Sequence, residues 1–124
     1  MQHLTFGVEL ELEVMGSTEK LEIQSSLVAT LKALLGSSMG VVEASRRVSA
    51  IRFDLQQDNN PLFLPFVGIA SETDRFPLGP ARELWASEAL ARYDQERELA
   101  EKHYSSLATK SATALLGWAR SQAF

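Results

Sequence analysis

Residues 6–14 alternate strictly between apolar and other residues, and this pattern constrains the fold more than any other part of the chain. Every second position is apolar: Phe6, Val8, Leu10, Leu12 and Val14. Three glutamates lie between them: Glu9, Glu11 and Glu13. A period of two is typical of a β-strand with one buried and one solvated face. The pattern therefore predicts a sheet that needs an apolar cover on one side and carries a row of carboxylates on the other.

Composition limits the class of protein. A chain of 124 residues, 45% hydrophobic and 23% charged, predicts a single globular domain over residues 1–124. The net charge of −4 argues against nucleic-acid binding, which normally needs a basic surface. Cysteine is absent, which excludes disulfides, thiolate metal sites and a cysteine nucleophile. Without an apolar run of about 20 residues or a signal-peptide pattern, we expect a cytoplasmic protein that does not bind membranes.

The period changes after residue 18. Apolar residues at spacings of three and four predict an amphipathic helix over residues 19–35, with Leu27 and Leu31 central to its apolar face. Leu34 or Leu35 continues this face, and Gly36 is the predicted C-cap. A hairpin over residues 14–23 is the alternative, because the alternation continues there.

Three further segments are predicted to be extended. Residues 41–44 and 48–56 are strand candidates, the second with Ile51, Phe53 and Leu55 on one face. Residues 57–61 have the composition of a turn. Residues 62–69 are very apolar but contain Pro65, which predicts an edge strand or an extended segment.

From Pro80 onward, no glycine or proline interrupts the chain before Gly117, which predicts C-terminal helices over residues 80–121. One unbroken helix of this length is too long for so small a domain. We therefore expect either a break near Ser105-Ser106 or a projecting helix that meets a partner. The predicted partner-binding residues on these helices are Tyr93, Tyr104, Leu107 and Trp118, because aromatic and large apolar residues dominate protein interfaces.

A short likeness to a known enzyme family begins at Leu4. The segment that contains Gly7-Val8-Glu9-Leu10-Glu11 resembles the opening strand of the amidoligase and carboxylate–amine ligase enzymes. The carboxylates of that family's Gly-Val-Glu-x-Glu strand help to hold magnesium at the phosphates of ATP. The resemblance implies that Glu9 and Glu11 are metal ligands of a magnesium-dependent enzyme. It covers about eight residues, and the enzymes of that family are far longer than this chain.

Together these patterns predict an α+β fold. A mostly antiparallel sheet of three or four strands within residues 1–70 is covered by helix 19–35 and followed by one broken or two separate C-terminal helices. The expected function is non-catalytic: a small acidic protein that binds a protein partner or a second copy of itself as a homodimer, without a cofactor. The alternative is the magnesium-dependent, ligase-like enzyme or a fragment of one.

Overall fold

The computed structural model is helical, and it describes the backbone of residues 2–122 and the side chains of residues 18–122. The four α-helices are α1 (Gln2–Leu35), α2 (Val41–Asp54), α3 (Leu64–Glu72) and α4 (Ser87–Ser121). Short 3₁₀ helices span Pro61–Phe63 and Gly79–Leu84. No strand occurs within residues 2–122, so the predicted α+β fold with an antiparallel sheet is wrong.

The strand predicted over residues 6–14 is instead part of α1. A strand needs hydrogen bonds from a neighbouring strand, and the rest of the described backbone offers none. A helix satisfies its own backbone, and the glutamates and leucines here have high helix propensity. Phe6, Leu10 and Val14 are also spaced by four residues. The same sequence therefore suits one face of a helix as well as it suits a strand. The side-chain faces predicted for residues 6–14 lie outside the described side chains.

The predicted helix over residues 19–35 is confirmed as the second half of α1, and the alternative hairpin over residues 14–23 is wrong. Leu27 and Leu31 are fully buried, Leu34 nearly so, and Leu35 is exposed. The helix ends at Leu35, so Gly36 occupies the predicted C-cap position, and the left-handed residue of the turn is the next one, Ser37, with φ of 61°.

The two strands predicted over residues 41–44 and 48–56 form one helix, α2. Five buried apolar residues along α2 and at its C-cap are separated by three or four residues: Val41, Ala44, Val48, Ile51 and Leu55. Phe53, predicted to share a face with Ile51, is instead 64% exposed. β-branched residues favour strands only when a pleated, half-buried surface is available, and here burial on neighbouring helices decides the conformation.

The proline-containing segment is also helical. The side chain of Asn60 accepts a hydrogen bond from the Leu62 amide at 3.0 Å and caps the first 3₁₀ helix. Pro65 lies in the first turn of α3, where a missing amide hydrogen costs nothing. Phe63, Phe66 and Ile69 recur every three residues and are buried. The predicted edge strand is therefore wrong, because the first turn of a helix tolerates proline as well as a sheet edge does.

α4 runs without a break through Ser105-Ser106 for 35 residues, about 52 Å. The predicted C-terminal helix is confirmed from Ser87 onward, whereas residues 80–86 form the second 3₁₀ helix and a linker. α4 packs against α1, α2 and α3 and contributes fully buried alanines to their shared core, namely Ala108, Ala112 and Ala119. Among the described helices, none combines the length and apolar character needed to cross a lipid bilayer.

Candidate interaction surface

The first turns of α4 are held by the segment before them. The guanidinium of Arg82 donates two hydrogen bonds to the carboxylate of Asp94, at 2.7 and 2.8 Å. These hydrogen bonds lower the pKa of Asp94 from its ordinary value. Next to this pair, the ring of Tyr93 packs edge-on against those of Phe76 and Trp85, at centroid distances of 6.3 and 5.2 Å. The predicted partner-binding residue Tyr93 therefore has aromatic neighbours within its own chain.

Two more of the predicted partner-binding residues also have contacts within the chain. The hydroxyl of Tyr104 donates a hydrogen bond to the carboxylate of Glu72 at the end of α3. Trp118 is half-buried and packs edge-on against Phe63 at 5.8 Å. Leu107, the fourth, is 45% exposed. Tyr93, Tyr104 and Trp118 thus lie on the side of α4 that faces residues 63–85, and Leu107 remains available to a partner.

A neighbouring side of α4, turned away from the core, carries apolar residues that face solvent. Leu99 is 68% exposed and Leu107 is 45% exposed, with the exposed His103 halfway between them. Residues at spacings of four lie on one face of a helix, so these three side chains form a continuous strip, called here the outer strip. Sequence reasoning missed Leu99 because it lies in a charged stretch, although its spacing from Leu107 could have revealed it.

A cleft of about 430 Å³ lies beside the outer strip, between the end of α3 and α4. Leu99 and His103 form one wall of this cleft, and Glu72 and Arg75 form the other. The side chains of Arg75 and Glu96 make a loose ion pair across it, with 3.6 Å between Nε and Oε2. The cleft therefore presents an exposed leucine beside the Arg75–Glu96 ion pair.

A second cleft, of about 510 Å³, lies where the end of α1 meets α4, and Glu101 lies in its wall. The Glu101 carboxylate accepts hydrogen bonds from the amides of Val41 at 2.5 Å and Val42 at 3.1 Å. A carboxylate is favoured at a helix N-terminus because the first amides of a helix have no internal partner. Glu101 therefore caps α2 from a helix that is distant in sequence, which is a structural role.

Arg46 has a comparable structural role at the turn that follows α3. Its guanidinium donates to the carbonyl oxygens of Thr73 and Phe76, at 2.6 and 2.7 Å. Burial lowers the pKa of Arg46, and the nearby Asp74 carboxylate opposes this effect. These contacts hold the turn after α3 against α2.

The residues implied by the enzyme resemblance, Glu9 and Glu11, lie outside the described side chains. The backbone that carries them is helical, so the strand on which that resemblance rests is not formed. Among the side chains of residues 18–122, no group of three histidine, aspartate or glutamate residues is placed to hold a metal ion.

Comparison of the chain with protein-family models, with curated proteins and with solved structures finds no match.

Proposed function

We propose that this chain is a non-catalytic, cytoplasmic protein-binding module that self-associates, and that its binding surface is the outer strip of α4. The observation that carries the proposal is the exposure of Leu99 and Leu107 on one face of a helix whose opposite face is packed into the core. An acidic chain without cysteine suits a reducing compartment and contact with proteins rather than nucleic acids.

The arrangement supports binding for a physical reason. α4 is held along its inner side by the core, by Tyr104 and by the Arg82–Asp94 pair, so its outer strip is presented on a rigid support. Binding to a preorganised surface avoids the entropy cost of ordering it. Burying two leucines removes apolar surface from water, which favours association by about 25 cal/mol per Å² before the costs of binding are counted.

Sedimentation velocity from low to high micromolar concentration tests the proposal. We expect the full chain to shift from monomer to dimer and its melting temperature to rise with concentration, because a partner that binds only the folded state stabilises it. The double variant Leu99→Ser/Leu107→Ser should remain monomeric at concentrations at which the unmodified chain is dimeric.

Leu84→Ser is the matched control, because Leu84 is 88% exposed and lies before α4, away from the outer strip. This variant makes the same chemical change and should dimerise like the unmodified chain. An unmodified chain that stays monomeric over the whole range would contradict the proposal. A dimer that survives in Leu99→Ser/Leu107→Ser would show that another surface associates.

A further inference from the structure

We infer that two copies of this chain pair through α4 in an antiparallel arrangement, with the twofold axis passing at His103. This inference rests on the proposed function, since it specifies how the outer strip meets a second copy. Its support is the order of residues along α4, and not only the exposure of two leucines.

The exposed side of α4 is symmetric about His103 over residues 96–110. Leu99 and Leu107 lie four positions before and after it, and Glu96 and Lys110 lie seven positions before and after it. Spacings of three and four keep all five residues on one side of the helix, and their alternation is the pattern of a helix–helix seam. The apolar residues are alike on the two sides of His103, and the charges are opposite.

This symmetry is what an isologous interface needs. A twofold axis perpendicular to α4 places each residue opposite the one equally far on the other side of His103. Leu99 then meets the partner's Leu107, and Glu96 meets the partner's Lys110, and each contact occurs twice. A parallel pairing would place Glu96 against the partner's Glu96 and Lys110 against the partner's Lys110, so like charges would disfavour it.

The surroundings of the strip fit the same arrangement. The 430 Å³ cleft has Leu99 in its wall, so it offers a recess for the partner's Leu107. Glu96 is held by Arg75 only loosely, at 3.6 Å, and its carboxylate can accept a second cation. Further along α4, the exposed Ala114 lies eleven positions after His103, and its small side chain leaves room for the partner's Arg92, eleven positions before His103.

Cross-linking of single-cysteine variants of the full chain is the decisive experiment, because the chain contains no cysteine of its own. His103→Cys should form a disulfide-linked dimer on mild oxidation, since the two side chains meet at the axis. Leu99→Cys mixed with Leu107→Cys should also cross-link. Neither variant alone should cross-link. In the antiparallel pair the same position in the two copies, 99 with 99 or 107 with 107, is separated by eight residues, about 12 Å along the helix.

Lys102→Cys is the control, because Lys102 is exposed on α4 but lines the other cleft, beside α1. It should not cross-link above background. Efficient cross-linking of Leu99→Cys with itself would overturn the antiparallel order. A dimer in sedimentation that cross-links at none of the outer-strip positions would overturn this inference and leave the proposed self-association standing. A monomer at every concentration would overturn both.

Charge reversal gives an independent test. Lys110→Glu should raise the dimer dissociation constant about tenfold, because it turns two attractive pairs into two repulsive ones. Adding Glu96→Lys to this variant should restore dimerisation. Lys102→Glu makes the same charge change away from the strip and should leave the dissociation constant unchanged. An equal effect of Lys110→Glu and Lys102→Glu, or no rescue by the second substitution, would contradict the pairing.

Discussion

Glu101 joins two helices whose contacting residues lie 60 positions apart in the chain. Its carboxylate satisfies the Val41 and Val42 amides, and Gly40 lies directly beside it. Glu101→Ala should lower the free energy of unfolding by about 1–2 kcal/mol, the usual cost of losing an N-terminal cap. Urea denaturation measures this change, and an effect below about 0.3 kcal/mol would mean that the cap contributes little.

The same contact predicts coupling between Glu101 and Gly40. A Cβ atom at position 40 would lie 2.8 Å from the Glu101 Oε1 atom, so Gly40→Ala should push the carboxylate away from the amides. Gly40→Ala should therefore destabilise the unmodified chain more than it destabilises the Glu101→Ala variant. Equal effects in the two backgrounds would show that the carboxylate does not mediate the cost of the extra methyl group.

Asp94 should make stability depend on pH in the acid range. Its pKa is lowered in the folded state by the hydrogen bonds from Arg82, so the folded chain holds this proton less readily than the unfolded chain. The resulting stabilisation is fully present above the unfolded pKa of about 4 and is lost as the pH falls through the lower folded value. Asp94→Asn should flatten the acid side of a plot of melting temperature against pH, and an unchanged slope would contradict this role.

At the scale of the element, α1 contributes to the core through one face of its second half. Leu27 is fully buried, whereas Leu21, nearly two turns earlier, is 47% exposed. Leu27→Ala should cost about 2–5 kcal/mol because it leaves a cavity, whereas Leu21→Ala should cost less than about 0.5 kcal/mol. Chemical denaturation measures the loss of unfolding free energy in each variant. Similar losses in the two variants would contradict the face assigned to α1.

At the scale of the whole molecule, small residues let α4 pack closely against three other helices. Ala112 is fully buried within the shared core, and Ala91 is exposed near the start of the same helix. Ala112→Leu should lower the free energy of unfolding by about 1–3 kcal/mol, because a close-packed core has no room for the added atoms. Ala91→Leu adds the same atoms in solvent and should be near neutral. A tolerated Ala112→Leu would mean that α4 packs loosely.

Several elements could be predicted from local pattern alone. In residues 19–35 the apolar residues recur mainly at helical spacings, so the helix, its buried leucines and its end at Leu35 followed from the order of residues. The long run without glycine or proline likewise predicted C-terminal helix, although it left open a break near Ser105-Ser106 that α4 does not have. In both segments the local propensity and the apolar period favour the same conformation, and no distant contact is needed to choose between alternatives.

The tertiary structure decided the rest. Residues 6–14 and 41–56 carry apolar patterns that suit either a strand or a helix, and the choice depends on whether distant segments supply strand partners or helix faces. Here the described backbone supplies helix faces, so Val48 and Ile51 are buried and Phe53 is exposed. The outer strip was only partly accessible to sequence reasoning. The spacing of Leu99 and Leu107 places them on one face of a helix, but only the packing of α4 determines which of its leucines enter the core. Burial is a property of the assembled chain, whereas periodicity is a property of its sequence.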